Sequence, residues 1–130
     1  MAHYLDTSAL VKLVVAEAQT AALRGWLSGA DRVPVTCDLS RTELMRTVKR
    51  VAPDRLVQAR HVLDAVTLLE VTTSMFDAAG RLDPVSLRTL DAIHLAAALS
   101  LGDDLEGLVT YDDRQAEAAR ANAVPVSSPS

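Results

Sequence analysis

The first fifteen residues compress a whole architecture into one turn of chain. A short apolar run, Ala2 to Leu5, stops at a carboxylate, Asp6, and gives way to Thr7-Ser8 and the apolar-rich Ala9-Leu10-Val11-Lys12-Leu13-Val14-Val15. Thr and Ser are helix N-cap types, so the stretch predicts a strand, an acid and a helix in that order. The pattern returns near the other end, where Leu108-Val109-Thr110 leads past Tyr111 to Asp112-Asp113 and a helix to about Ala121. In an open α/β sheet, ligands bind beyond the carboxyl ends of the strands, and adjacent helix starts favour ionised acids. Asp6 and Asp112 are therefore expected at one edge of one parallel sheet.

The chain between them keeps alternating. Helices are expected over about Ser8–Val15, Ala18–Ser28 and Pro53–Ala65, one to about Arg50 for which Asp38 and Ser40 compete as N-cap, and one opened by Thr72 or Thr73 that ends near Leu82. Short β segments are expected at Arg32–Cys37, Thr67–Val71 and Val124–Val126, with Pro34 at the beginning of its strand or on an edge. Thr89–Leu101 is the most regular helix, apolar at Leu90, Ile93, Ala97 and Leu101 and again at Leu95 and Leu99, so it should lie deep in the fold. The tail from Ser127 is expected to fray. Such alternation predicts an α/β fold with a central, mainly parallel sheet of about five strands flanked by helices. At 130 residues, the chain is expected to form a single domain over 1–130 with one core.

Hydrophobic residues make up 49% and aromatics 3%, so that core must be built from Ala, Leu and Val, with Tyr4, Trp26, Phe76 and Tyr111 as its few bulky pieces. No apolar run approaches the ~20 residues that cross a bilayer, and no signal-like segment opens the chain. A cytoplasmic protein without a membrane partner is expected. Cys37, the single cysteine, excludes an internal disulfide and a thiolate-rich metal site, and reads as a small core residue. The net charge is −4, yet residues 41–60 carry six cations against two acids. That basic face suits a polyanion or an acidic partner, or is simply a solvated helix surface.

Four acids stand where a site could form, and each also has a structural reading. Asp6 and Asp112 could be helix caps, with Asp113 the better cap beside Asp112. Ser40-Arg41-Thr42-Glu43 matches a capping box, in which Glu43 would reach back to the helix start. Asp91 lies in a first helical turn, where negative charge complements the dipole, and His94 follows one turn on as a core or hydrogen-bonding residue. Their combination is what points to chemistry. Carboxylates meeting at ~4 Å repel by about 4 kcal/mol per pair at an effective dielectric of ~20, so a cluster needs cations or protons. Oxygen donors without Cys or paired His favour Mg²⁺ or Mn²⁺ over zinc, and such a site suits phosphodiester hydrolysis.

Taken together, Tyr4-Leu5-Asp6-Thr7-Ser8-Ala9-Leu10, Leu39-Ser40-Arg41-Thr42-Glu43-Leu44, Leu90-Asp91-Ala92-Ile93-His94-Leu95-Ala96 and Leu108-Val109-Thr110-Tyr111-Asp112 resemble the PIN domain, and more narrowly the VapC-type toxins of bacterial toxin–antitoxin pairs. The resemblance spans essentially the whole chain. It implies a PIN-like three-layer fold and a Mg²⁺- or Mn²⁺-dependent endoribonuclease. Asp6, Glu43, Asp91 and Asp112 would be its catalytic and metal-binding quartet. On the family pattern, Asp6 and Asp91 would touch metal directly, with Asp112 and Glu43 positioning water or a second ion. Ser8 and Thr110 match supporting polar residues of the site.

The same resemblance implies in-line hydrolysis leaving 5′-phosphate and 3′-hydroxyl ends, an RNA substrate, a cognate antitoxin that blocks the acidic groove, and a homodimer able to assemble further with that antitoxin. Arg41, Arg46, Lys49 and Arg50 are candidates for guiding RNA phosphates. Other readings compete with this one. A receiver domain would need an acid after its third strand, where Val71-Thr72-Thr73-Ser74 has none. A haloacid-dehalogenase-like phosphatase would need an acid at Ser8. The remaining alternative is a non-catalytic PIN-like module that binds RNA or protein without cutting.

Overall fold

Tyr4 and Leu5 are both fully buried yet belong to different hydrophobic clusters, as successive strand residues must when a sheet is covered on both faces. Leu108 and Val109 divide in the same way. The computed structural model describes residues 1–29 and 31–130. Its strands are β1 (Ala2–Leu5), β2 (Val33–Cys37), β3 (Thr67–Leu69), β4 (Leu105–Val109) and β5 (Val126–Ser127), all parallel and ordered β3-β2-β1-β4-β5. Between them run α1 (Thr7–Val14), α2 (Thr20–Leu27), α3 (Leu39–Val51), α4 (Leu56–Ala65), α5 (Thr73–Gly80), α6 (Thr89–Leu99) and α7 (Asp113–Ala121).

One face of the sheet packs on α1 to α4 through Leu10, Leu23, Leu44, Val48, Ala59 and Leu63. The other packs on α6 and α7 through Leu95, Ala97, Ala98, Ala118 and Ala119. The core is therefore Leu, Val and Ala, as the low aromatic content requires. Seven consecutive residues of α6, Ala92 to Ala98, are buried, which explains why this helix is apolar nearly all round. Cys37 lies wholly inside.

The sheet order has a functional consequence. From β1 the chain steps outward to β2 and β3, then returns to add β4 on the other side of β1 and β5 beyond it. The order reverses between β1 and β4, and in open α/β sheets the crevice at such a switch point is where ligands bind. Leu5 pairs with Val109 at the carboxyl ends of these two strands, so Asp6 and the Thr110–Asp112 turn emerge side by side there.

Pro34 stands second in β2, near the beginning of its strand as expected, opposite His3 of β1. Three other expectations change. The tail is tied down: Ser127 pairs in β5, Ser128 Oγ donates to the Thr110 carbonyl at 2.6 Å, and the Tyr111 hydroxyl donates to the Pro129 carbonyl at 2.7 Å. Phe76 is a half-exposed surface residue, whereas Trp26 is partly covered by the His3 ring edge and the Arg32 guanidinium. Pro53 opens a separate 3₁₀ turn, Pro53–Arg55, ahead of α4. Among the described residues, no helix is long and apolar enough to cross a membrane.

Candidate functional site

Asp6 closes β1 and also starts α1. Its Oδ1 accepts from the Ala9 amide at 3.2 Å, which caps the helix, and from Ser8 Oγ at 2.6 Å. Its Oδ2 accepts from Thr110 Oγ1 at 2.5 Å. Ser8 Oγ in turn accepts from the Tyr111 amide at 2.9 Å, and Thr110 Oγ1 from the Asp112 amide at 3.1 Å. Two hydroxyls, those of Ser8 and Thr110, thus stitch the turn after β1 to the turn after β4. Burial pushes the Asp6 carboxyl above its usual range, against the pull of the Ser8 and Thr110 hydroxyls.

Asp112 is the N-cap of α7, with Oδ1 accepting from the Arg114 amide at 2.9 Å. The cap is therefore Asp112 rather than Asp113, which sits one residue inside the helix. Asp112 also lines a groove that it shares with Asp91. That groove is an open depression of about 410 Å³ lined by Arg88, Asp91, Tyr111, Asp112, Asp113 and Arg114. Asp91 reaches it from the first turn of α6 and makes no side-chain hydrogen bond among the described residues. Burial raises its carboxyl above the ordinary range, and repulsion from Asp112 and Asp6 adds to the effect.

Glu43 is not the arm of a capping box. Helix α3 begins two residues earlier than that pattern requires, with Asp38 at its N-cap position, and Ser40 is buried with its hydroxyl 2.7 Å from Thr36 Oγ1. Glu43 instead accepts at Oε1 from Thr7 Oγ1 at 2.8 Å and pairs there with His94 Nε2 at 2.5 Å. The other ring nitrogen, Nδ1, lies 2.7 Å from the Tyr4 hydroxyl. Burial alone would strip the imidazole of its proton, but contacts with Cys37 and Glu43 outweigh it and hold the ring protonated to about 10. Glu43 is correspondingly held below its ordinary range by His94 and Thr7, despite burial.

The four acids come from four elements and arrive at one end of the sheet. Asp91 is raised by Asp112, by Asp6 and, less, by Glu43, while His94 is the one cation among the groups that shift it. The donor set is all carboxylate oxygen, the chemistry of a hard divalent ion such as Mg²⁺ or Mn²⁺. Among the described residues, no three of His, Cys, Asp and Glu stand close enough to enclose an ion as they are, so holding one requires the carboxylates to draw together. Neither His94, bonded at both nitrogens, nor buried Cys37 is offered to the groove.

Arg41, Arg46, Lys49 and Arg50 are exposed along α3, the helix that carries Glu43. Arg88 and Arg114 stand nearer the acids, in the depression with Asp91 and Asp112. The sequence did not single out these two arginines, because each precedes or opens a helix as an isolated charge outside the basic run. Nor did it mark Thr7 and His94 as partners of Glu43. The spacing of His94 three residues after Asp91, which puts both on one side of α6, was the available signal.

The sequence pattern of the PIN domain matches residues 3–121. The chain is 42% identical to ribonuclease VapC47 of Mycobacterium tuberculosis over 97% of its own length and 96% of that protein, and 45% identical to ribonuclease VapC46 of the same species over 99% and 98%. In fold it resembles the crystal structure of M. tuberculosis VapC20, described as a sarcin–ricin loop cleaving toxin, with a TM-score of 0.73 at 21% identity over 89% of this chain and 94% of that one. A toxin–antitoxin complex from Klebsiella pneumoniae aligns with a TM-score of 0.71 at 20% identity over 98% of both chains.

Proposed function

Because this chain belongs to the PIN domain family, and within it to the ribonucleases of the VapC type, we propose that it is a Mg²⁺- or Mn²⁺-dependent endoribonuclease, the toxin of a toxin–antitoxin pair acting in the cytoplasm. The observation that carries this reading is Asp91. Its carboxyl is raised first by burial and then by Asp112 and Asp6, groups from two other strand ends at the switch point, with only His94 offsetting them. Such crowding at the place where α/β sheets bind ligands is what a divalent cation relieves. When bound, the ion supplies charge neutralisation at the phosphate and a lowered pKa for the attacking water.

Asp6 and Asp91 would hold that ion, and Asp112 and Glu43 would orient water or a second ion. Ser8 and Thr110 keep the Asp6 oxygens fixed by donating to one each. Thr7 and His94 occupy Glu43 Oε1, so Oε2 would be the oxygen left to act on water or an ion. The exposed cations Arg41, Arg46, Lys49 and Arg50, joined by Arg88 and Arg114, would track phosphates of the RNA. A cognate antitoxin would cover the acidic mouth, and the likeness in fold to the Klebsiella pneumoniae toxin–antitoxin complex supports this partner. A homodimer is part of the same reading.

The test compares the wild-type protein with Asp6→Asn on a pool of structured RNAs, in Mn²⁺, Mg²⁺ and EDTA, with the new ends mapped. Cleavage by wild type alone, requiring metal and leaving 5′-phosphates, is expected. Equal cutting by both proteins, or cutting that survives EDTA, would defeat the site. Wild type that neither cuts RNA nor is stabilised by Mn²⁺ would leave the non-catalytic binding module as the better account.

A further inference from the structure

Gln115 is completely buried, an unusual place for a side-chain amide with no apolar reason to be there. It occupies the third position of α7, three residues after the Asp112 cap. Asp-x-x-Gln at a helix start is the spacing of a capping box, in which the glutamine would turn back to the cap amide. Here it does not. The Asp112 amide donates to Thr110 Oγ1 instead, and the Gln115 side chain leaves its own helix to donate from Nε2 to the Asp91 carbonyl at 3.0 Å. Among the described residues this is the one side-chain hydrogen bond that joins α6 to α7. The Gln115 backbone amide points toward Asp112 Oδ1 at 3.5 Å.

A single residue therefore ties the two helical turns that present Asp91 and Asp112. The link comes with a cost: Gln115 Oε1 is buried with no hydrogen-bond partner. A methionine of the same reach would fill the space without stranding an acceptor, so packing does not explain the amide. The amide orientation is settled by chemistry, since a carbonyl can only accept and the nitrogen must face it.

We infer that Gln115 is a positioning residue that fixes the separation of Asp91 and Asp112, and through it the affinity of the acidic site for a divalent ion. The inference rests on the metal-dependent reading above. Groups one bond removed from a metal ligand commonly change affinity or turnover by ten- to a hundredfold when altered, because they hold ligands in the one arrangement that binds. Asp91 has no side-chain bond of its own to hold it, so its backbone anchor matters more than it would for Asp6.

Gln115→Met and Gln115→Leu test this, both of which remove the donor with an uncharged side chain of similar size. The measurements are the melting temperature without metal, Mn²⁺ affinity by calorimetry, and kcat and KM on a cleaved RNA. Gln115→Met is expected to melt at or above wild type, to bind Mn²⁺ about tenfold more weakly, and to lose about tenfold in kcat with KM for RNA unchanged. Gln115→Leu, should the methionine variant fail to fold, is expected to show the same weakened Mn²⁺ binding. Mn²⁺ affinity and kcat within twofold of wild type in a folded variant would overturn the inference and leave the nuclease reading intact. A wild-type protein with no Mn²⁺ binding would overturn both.

Discussion

His94 and Glu43 form a pair 2.5 Å apart between Nε2 and Oε1, with the imidazole 2% exposed and the carboxylate 23% exposed. The ring is fixed from behind by the Tyr4 hydroxyl, so its orientation is determined at both nitrogens. A buried positive charge is thus built in behind the acids. It pairs with Glu43 and also pulls down the Asp6 and Asp91 carboxyls.

This pair makes stability depend on pH in a defined direction. The folded protein keeps the His94 proton to about pH 10, whereas an imidazole of ordinary pKa 6.5 loses it far earlier. The pair's stabilisation is therefore complete below about pH 6.5 and is lost as pH rises toward 10. Glu43 is shifted down, so its share is present above the ordinary carboxylate range and is lost as pH falls through it. His94→Gln is expected to cost about 3 kcal/mol at pH 6.5, the cost of stranding half of a buried pair. Urea unfolding in EDTA should show the wild-type and variant curves converging toward pH 10, and a constant gap across that range would contradict the assignment.

Thr110→Val keeps shape while removing one hydroxyl that serves two acids. Asp6 Oδ2 loses its donor and the Asp112 amide loses its acceptor, both in a place with no solvent access at Thr110. Unsatisfied buried groups of this kind cost about 1–3 kcal/mol. A drop of that size in unfolding free energy, with RNA cleavage reduced by about tenfold or more, is expected. A fully active valine variant would mean that Asp6 needs no positioning from β4.

Much of this was legible in the chain itself, for identifiable reasons. The strand–acid–helix stretches around Asp6 and Asp112 fix both the parallel sheet and the edge where the acids emerge, because each needs only local chemistry to be read. Alternation then placed all five strands and the deep α6. What local pattern could not supply was choice between two local roles. Asp6 and Asp112 both turn out to be helix caps, and Asp112 lines the groove as well, so capping and a place in the site are not exclusive. Glu43 fitted a capping box in spacing, but Asp38 takes the N-cap position and Thr36 occupies Ser40, both decided by contacts across the sheet. The Ser128 and Pro129 contacts that hold the tail depend likewise on residues 18 positions away.

Asp91→Asn should separate stability from function. Among the described residues the Asp91 side chain has no hydrogen bond to lose, and it is repelled by Asp112 and Asp6. Removing its charge is expected to stabilise the metal-free protein by the order of 1 kcal/mol, as relief of unfavourable charge commonly does. The same change should abolish stabilisation by Mn²⁺ and RNA cleavage. Thermal melts with and without Mn²⁺ measure both effects, and a variant less stable than wild type in EDTA would show that Asp91 has a structural role instead.

The basic residues divide into two groups that salt can tell apart. Arg88 and Arg114 share the depression with Asp91 and Asp112, while Arg41, Arg46, Lys49 and Arg50 extend along α3 away from Glu43. A phosphate at the acids lies within reach of the first group whatever the RNA's length; the second group meets only a strand that continues across α3. Each phosphate contact removed should lower the slope of log affinity against log salt by about 0.7 for single-stranded RNA. Arg88→Gln and Arg114→Gln are expected to weaken binding of both a short and a long oligonucleotide to an Asp6→Asn background protein. Arg46→Gln and Arg50→Gln should weaken only the long one. Loss confined to the α3 variants on both lengths would place the RNA path along α3 and take Arg88 and Arg114 out of it.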